Sequence, residues 1–166
     1  MNKKDLTGFS IRFATDKDLD NILFFIKELA KHENLLNEVV ATKEILYNSL
    51  FVLKSAEVII AEYDNVAIGF ALFFPNFSTF TGKAGLYLED LYIVPQQRGK
   101  GYGKVMFSYL AEIAKDRDYQ RLEWWCLNDN KSSIEFYKQL NAEAMNDWTV
   151  FRLSTKTIRE LANNKK

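Results

Sequence analysis

The chain has 166 residues, and 48% of them are apolar, which suits one domain with a hydrophobic core. Its 22 basic and 22 acidic residues balance, so we expect neither nucleic acid nor a membrane surface as a partner. No apolar run is typical of a signal peptide or a membrane span, which favours a cytoplasmic protein.

The content of metal-binding side chains is low. The single Cys126 cannot form an internal disulfide, and one cysteine with one histidine is too few for a thiolate or imidazole metal cluster. We therefore expect no metal cofactor, although carboxylates alone could hold Mg²⁺.

The first half of the chain carries both strand and helix patterns. In chain order they predict a strand, two helices and a pair of strands, at 9–13, at 19–29, after Thr42, and at 57–62 and 66–73. Thr15 or Asp16 would cap the first helix. The second helix would bury one face, which carries Ile45, Leu46 and Leu50. A hairpin turn at 64–65 would join the two strands.

The second half adds three helices and three strands. The predicted elements are a polar connection over 76–82, a strand over 85–94, a helix over 102–114, a strand over 122–127, a helix that ends at 140, a strand over 148–153 and a last helix. Asn130 or Ser132 would cap the helix that ends at 140, and Thr155 would cap the last one. The strand over 122–127 is apolar on both faces, so we expect it at the centre of the sheet.

No repeat, low-complexity linker or shift in composition divides the sequence, so we predict one domain over residues 1–166. Helices interleaved with mostly antiparallel strands predict a mixed sheet flanked by helices. The predicted fold class is α/β.

The segment 86–104, LYLEDLYIVPQQRGKGYGK, joins an apolar strand, a glycine-rich loop and a helix. Such a junction aims backbone N–H groups and a helix N-terminus at a phosphate. Its glycines match neither a P-loop nor the dinucleotide fingerprint. An ordinary tight turn is the alternative, but three flanking cations favour an anion, namely Arg98, Lys100 and Lys104.

Two acids, Glu89 and Asp90, lie in the middle of the strand before this loop. Adjacent strand residues face opposite sides unless a bulge intervenes. One interpretation leaves one acid exposed and the other in a salt bridge. The functional interpretation is a carboxylate that binds a cationic amine and helps to remove its proton, because an ammonium must lose a proton before it can attack a carbonyl.

The segment 128–138, NDNKSSIEFYK, offers a candidate acid. Tyr137 could be a core aromatic, or a phenol that donates a proton to a departing thiolate. Asn130 and Ser133 could contact a cofactor or could merely cap the helix.

Two further pairs of residues are candidates for substrate binding. His32 and Glu33 end the first predicted helix, where a solvated helix end is the alternative. Trp124 and Trp125 could pack in the core or line a substrate groove. The sequence contains no nucleophile elbow, so we do not expect His32 to serve as a triad base.

Four strings occur in a family-like order, and their spacing extends over most of the chain, from residue 26 to residue 138. They are IKELAKHE at 26–33, YLEDLYIV at 87–94, RGKGYG at 98–103 and NKSSIEFYK at 130–138. Arg98, Gly101 and Gly103 meet the loop signature of Arg or Gln, two residues, Gly, one residue, and Gly or Ala. On these strings the chain resembles the GNAT acetyltransferases, and in particular the diamine (spermidine/spermine) N-acetyltransferase branch with its thialysine-acetylating relatives.

The resemblance implies a GNAT sheet that is splayed at its centre, between strands 85–94 and 122–127, with acetyl-CoA in the split and no metal. The cofactor-binding residues that it implies are Leu91, Tyr92, Ile93, Arg98, Gly99, Lys100, Gly101, Tyr102, Gly103, Lys104, Asn130, Ser133 and Tyr137. Backbone groups of 91–93 would pair with the pantetheine arm, and residues 99–104 would cradle the pyrophosphate. Members of the branch are typically homodimers.

The resemblance also implies roles in the chemistry. Glu89 matches the acid that binds the amine and assists its deprotonation through water, and Tyr137 matches the tyrosine that protonates the CoA thiolate. The amine-binding residues that it implies are His32, Glu33, Glu89, Trp124 and Trp125. Animal members of the branch have Tyr at the position of His32 and differ at 128–129, so the identity of the amine stays open.

The sequence thus predicts an acetyl-CoA-dependent amine N-acetyltransferase for a small cationic substrate of polyamine or diamine type. We expect direct attack without an acyl-enzyme, because Cys126 is the only thiol and has no adjacent base in sequence. Alternative acceptors are thialysine, an aminoglycoside or another amine metabolite. A non-catalytic acyl-CoA-binding module and a peptide N-terminal acetyltransferase are the alternative classes.

Overall fold

The computed structural model describes residues 6–164, which form an open five-stranded sheet and five α-helices. The strands are β1 (Phe9–Phe13), β2 (Glu57–Tyr63), β3 (Val66–Ser78), β4 (Lys83–Ile93) and β5 (Leu122–Trp124). The helices are α1 (Leu19–His32), α2 (Lys43–Tyr47), α3 (Tyr102–Asp116), α4 (Lys131–Gln139) and α5 (Thr155–Asn163). None of the helices in this part of the chain is both long and apolar enough to cross a membrane.

The chain divides into two compact units, with the boundary between Cys126 and Leu127. The first unit holds the whole described sheet with α1, α2 and α3. The second unit holds α4 and α5, and neither of these two helices has a buried residue. The single domain over residues 1–166 stays a prediction.

The strands lie in the order β1-β2-β3-β4-β5, so each strand pairs with its neighbour along the chain. The first three pairs are antiparallel, while β4 and β5 are parallel and are connected through α3. Asp64 and Asn65 join β2 to β3 with φ of 50° and 62°, which confirms the predicted hairpin turn. The predicted α/β fold with a mostly antiparallel sheet and flanking helices is confirmed.

Helices cover both faces of the sheet, since four consecutive residues of β2, 58–61, are all buried. The cluster on the α1 and α2 face consists of Ile22, Phe25, Leu46, Leu50, Val58, Ile60, Phe70 and Tyr92. On the other face, the ring of Phe9 stacks on that of Tyr102 in α3, with ring centroids 4.3 Å apart. The two faces therefore present different cores, one to α1 and one to α3.

Two of the four predicted helix caps are confirmed. α1 begins at Leu19 with Asp18 as its N-cap, so neither Thr15 nor Asp16 caps it. The Thr42 hydroxyl accepts a hydrogen bond from the N–H of Ile45, and Asn130 caps α4. Ser154, rather than Thr155, caps α5, because Ser154 is still extended while Thr155 is already helical. Ile45 is 52% exposed, so the prediction that it shares a buried face with Leu46 and Leu50 is wrong. Residue 45 directly precedes Leu46 and points to a different side of the helix.

Three predictions about strands are wrong. Residues 76–78, expected in a turn, continue β3 and pair with β4. β5 ends at Trp124 and lies at the edge of the described sheet rather than at its centre. Residues 148–153 form no strand. An apolar pattern gives a strand only where a partner strand supplies hydrogen bonds. β5, the strand at this edge, has only three residues and offers little edge for a further strand to pair with.

Candidate active site

A β-bulge interrupts β4 at Glu89. Leu88 pairs with Phe73 and Asp90 pairs with Leu72, so Glu89 is an extra residue without a partner on β3. Paired residues of antiparallel strands point to the same face, and Leu72 packs on the α1 side of the core. Asp90 therefore lies on the face of the sheet that α1 covers, whereas Leu88, two residues earlier, lies on the opposite face.

The surroundings of Asp90 oppose its ionisation. Burial, followed by the negative charges of Glu89 and Glu33, raises the pKa of Asp90 to about 6. Glu89 is exposed and Glu33 is half-buried. The bulge thus brings two acids of one strand together with a third acid from the end of α1.

The end of α1 holds Glu33 in this place. Asn34 follows with φ of 60°, and the N–H of Leu35 donates to the carbonyl of Ala30 at 2.7 Å. This left-handed residue and the bond across it form a Schellman motif, which closes the helix at Glu33. His32, the last helical residue, is exposed beside it.

The edge of β4 is open beyond the bulge. β4 pairs with β5 only over 86–88, and among the described residues no strand continues along that side to Ile93. The Tyr92 carbonyl lies on the β3 side, where a Cβ on Gly69 would come within 2.3 Å of it. Strand alternation then directs the backbone groups of Leu91 and Ile93 to the open side. The pairing of β4 with β5 thus stops after Leu88, between the two strands where we expect the sheet to splay.

The loop after β4 turns through two glycines in the left-handed region. Gly99 has φ of 75° and Gly101 has φ of 94°, conformations that favour glycine. Gly101 is the N-cap of α3 and provides no side-chain bond to the first N–H groups of that helix. Such an N-terminus is a ready site for a phosphate. Gly103 and the exposed Lys104 lie in the first turn of α3.

Two cationic side chains of this loop, Arg98 and Lys100, make hydrogen bonds to neighbouring residues. Arg98 Nε donates to the Ile93 carbonyl at 2.8 Å, and its guanidinium carbon lies 5.2 Å from the centroid of the Tyr92 ring. Lys100 Nζ donates to Gln97 Oε1 at 2.6 Å. Both residues are exposed, so their positive charge still faces solvent beside the helix N-terminus.

Some residues predicted to contact a cofactor have side chains in the core. The Tyr92 ring lies 6.0 Å from that of Phe25, and the Tyr102 ring stacks on Phe9. Ile93 is buried as well. These three residues can face a ligand only through their backbone.

The two tryptophans near the end of β5 have different surroundings. Trp124 is half-buried and stands edge-on to Phe107 of α3, with ring centroids 5.0 Å apart. Trp125 is 55% exposed and stands edge-on to Tyr87 at 6.0 Å. Trp125 therefore keeps an accessible aromatic surface, while Trp124 packs against α3.

Glu123 lies in β5, and its negative charge is neutralised by a neighbouring cation. Its Oε2 lies 2.9 Å from Arg121 Nε and accepts a hydrogen bond from Asn76 Nδ2 at 2.6 Å. Unlike the three acids at the bulge, this carboxylate already has a cationic partner. It is the weaker candidate for holding an amine.

In the second unit, α4 carries the remaining candidate residues. Asn130 Oδ1 accepts hydrogen bonds from the Ser133 N–H at 3.2 Å and the Ser132 hydroxyl at 3.1 Å, so this oxygen is used in the cap. Tyr137 is half-buried, and its ring lies 5.5 Å from that of Phe136. The roles of Asn130, Ser133 and Tyr137 toward a cofactor stay predictions.

Most of the chain matches the model of one known protein family. The model of the acetyltransferase (GNAT) family matches residues 23–142, well over half of the chain. The chain belongs to the GNAT acetyltransferase family. GNAT acetyltransferases use acetyl-CoA, and two features of the first unit fit this molecule. They are the N-terminus of α3, whose first N–H groups receive no side-chain cap, and the open edge of β4.

Two relatives of this GNAT enzyme have names that give N-acetyl transfer as the reaction. It is 34% identical to a thialysine N-epsilon-acetyltransferase of Sus scrofa, over 92% of this chain and 96% of that one. It is 30% identical to the spermidine/spermine N(1)-acetyltransferase-like protein 1 of Homo sapiens, over 98% of this chain and 25% of that one. An integron cassette protein from the mobile metagenome of V. cholerae shares the fold, with a TM-score of 0.79 and 23% identity over 95% and 99% of the two chains. The predicted class, an amine N-acetyltransferase, is confirmed.

The sequence alone does not indicate a role in the site for Asp90 of this GNAT enzyme. The pattern drew attention to Glu89 through the family resemblance, and Asp90 stood beside it without a role. Two adjacent acids in an apolar strand were the available signal. The burial of Asp90 and its closeness to Glu33 arise only from the bulge and the end of α1.

Proposed function

We propose that this GNAT enzyme transfers the acetyl group of acetyl-CoA directly to a primary amine of a small cationic substrate. The observation that carries the proposal is the group of three carboxylates at the bulge, Glu33, Glu89 and Asp90. Carboxylates close together attract an ammonium ion, and two of the three lie on β4 where its edge opens.

The binding of acetyl-CoA is proposed for residues that fit its parts. When bound, acetyl-CoA supplies the acyl donor as a thioester. The segment 98–104, with its left-handed glycines and cations, would hold the pyrophosphate. Backbone groups of Leu91 and Ile93 on the open edge would hydrogen-bond the pantetheine amides, as an added strand does. We propose further contacts from Asn130 and Ser133.

We propose that two side chains move the protons of the reaction. Glu89 holds the substrate ammonium and assists its deprotonation through water, which leaves a neutral amine able to attack a carbonyl. Tyr137 donates its phenolic proton to the departing sulfur. Cys126 is the only thiol in the sequence, and direct attack needs no acyl-enzyme on it.

Two substrate classes have support. Thialysine-like amino acids are favoured by the 34% identity to an enzyme of that name over nearly the full length of both chains. Diamines and polyamines are favoured by the three acids, since these substrates carry several positive charges and no carboxylate. His32, Glu33, Trp124 and Trp125 are the side chains that we propose to decide between them.

The test is thiol release from acetyl-CoA across a panel of spermidine, spermine, putrescine, thialysine, lysine and aminoglycosides. We expect turnover with at least one small amine that has a flexible aminoalkyl arm. Tight CoA binding without turnover of any amine would contradict the proposal and favour a non-catalytic acyl-CoA-binding module.

We also propose a homodimer in the cytoplasm, as in the branch that the sequence resembles. Light scattering of the purified protein would give a mass twice that of the 19.3 kDa chain. A monomer mass at working concentration would contradict the dimer.

A further inference from the structure

Asp90 and Glu89 differ in what surrounds them. Asp90 is partly buried and lies opposite the apolar Leu72 on β3, while Glu89 is exposed at the bulge. The charged groups that face Asp90 are Glu89 from β4 and Glu33 from the end of α1. Among the described residues, no basic side chain pairs with Asp90.

A carboxylate in such a place lacks the cation that usually stabilises it. A structural acid inside a protein is ordinarily paired or hydrogen-bonded, because an unpaired charge is costly to bury. Here the nearest charges are negative, so the site is poised to receive a cation or a proton from outside. A substrate ammonium at the bulge supplies both.

We propose that Asp90 is a second catalytic carboxylate of this site, which accepts the proton of the substrate ammonium while Glu89 and Glu33 hold the cation. The inference rests on the proposed function, because it assigns a role within the same amine acetylation. It also divides between two acids the tasks that the family resemblance gives to Glu89 alone.

The proton balance of the step is complete. The N–H bond of the ammonium breaks, its proton moves to a carboxylate oxygen of Asp90, and the nitrogen keeps the electron pair. That pair forms the new C–N bond as the C–S bond breaks, and the thiolate takes its proton from Tyr137. The nitrogen loses its second proton to solvent as the amide forms, and Tyr137 regains a proton from solvent. Asp90 then releases its proton to solvent, to which it is partly exposed.

The raised pKa of Asp90 supports this assignment. Proton transfer from an ammonium of pKa ~10 to a carboxylate of ordinary pKa ~4 is uphill by about six powers of ten. An acceptor with a pKa of about 6 reduces that gap by roughly a hundredfold. Asp90 is therefore the better acceptor, while Glu89 at the exposed position is better placed to meet the incoming cation.

The test is the pH dependence of kcat/KM for the amine that the panel identifies, in the wild type and in Asp90→Asn, Asp90→Glu, Glu89→Gln and Asp116→Asn. We expect a wild-type acid limb with a pKa of about 6, and in Asp90→Asn the loss of that limb with a plateau lower by roughly 10²-fold. Asp90→Glu should restore the limb in part. In Glu89→Gln the limb should move to lower pH, because one of the negative charges that face Asp90 is gone.

Asp116, exposed at the end of α3, is the matched control, and its replacement should leave the profile unchanged. A folded Asp90→Asn variant with the wild-type limb and plateau would overturn the role of Asp90 and leave the acetyltransferase activity standing. Absence of turnover with every amine in the wild type would overturn the proposed function and this inference together. If Asp90→Asn does not fold, a Glu89→Gln profile with an unmoved limb overturns the inference.

Discussion

Leu88 and Asp90 are separated by one residue on β4, yet they face opposite sides of the sheet. In a regular strand two such residues share a face. Leu88 pairs with Phe73, whereas Asp90 pairs with Leu72, because Glu89 is inserted between them as a bulge. The bulge keeps Leu88 in the core and turns Asp90 toward the end of α1, where Glu33 lies.

Replacing Asp90 with Asn should stabilise the protein at alkaline pH. Because its folded pKa of about 6 is above the ordinary value, the native state binds this proton more tightly than the unfolded chain does. The stability from that proton is complete below about pH 4 and is lost as the pH rises through about 6. Asp90→Asn should therefore be more stable than the wild type by roughly 2–3 kcal/mol near pH ~8, and by little near pH ~4.

Urea denaturation at the two pH values checks this, with Asp116→Asn as the control that should show no such difference. A lower stability of Asp90→Asn at alkaline pH would mean that the carboxylate has a stabilising partner.

Replacing Asp18 with Asn should have the opposite effect. Arg12 binds both oxygens of this nearly buried carboxylate at 2.7 Å, and the Arg12 bonds, with help from Thr15, lower the pKa of Asp18 to about 2. The native state therefore favours the ionised form, which stabilises it above about pH 4 and is lost as the pH falls through about 2. Asp18→Asn should lose roughly 2 kcal/mol near neutral pH, measured by urea denaturation.

Asp16, exposed in the same turn, is the matched control, and Asp16→Asn should stay close to the wild type. Equal losses in the two variants would assign the effect to the turn rather than to the ion pair with Arg12.

The parts of the fold that could be predicted are those with a local cause. An apolar run predicted β4, glycines marked the loop before α3, and Thr42 and Asn130 acted as caps because their side chains bond the next turn. The strand at 148–153 failed because a strand depends on a partner that local sequence does not specify. The chemistry of Asp90 could not be predicted either. It depends on the register of β3 against β4 and on where α1 ends.

Replacing Gly101 with Val should abolish or strongly weaken CoA binding. Gly101 has φ of 94° at the N-cap of α3, where a β-branched side chain is strained and would crowd an anion at the helix N-terminus. We expect at least a tenfold loss in CoA affinity, measured by isothermal titration calorimetry.

Gly82, in the turn between β3 and β4, is the control, since it also has a positive φ and no atom lies within 4 Å of its added Cβ. Gly82→Val carries similar backbone strain and should bind CoA normally. Wild-type affinity in Gly101→Val would remove the loop from the cofactor site.

Replacing Tyr137 with Phe should lower kcat by roughly 10² to 10⁴-fold, the usual contribution of a general acid. The affinity for acetyl-CoA should change little, because the phenyl ring is kept. Steady-state kinetics together with CoA titration separate the two quantities. Tyr109→Phe, on α3 beside Phe13, removes a hydroxyl elsewhere and should leave kcat unchanged. An unchanged kcat in Tyr137→Phe would exclude it as the acid.

The most direct test of the central claim compares wild type and Glu89→Gln in steady state with both substrates varied. If the carboxylates at the bulge bind the amine and aid its deprotonation, Glu89→Gln should raise the KM for the amine and lower kcat at pH values above the acid limb, with the KM for acetyl-CoA unchanged. A change confined to the KM for acetyl-CoA would contradict the assignment of the bulge to the amine.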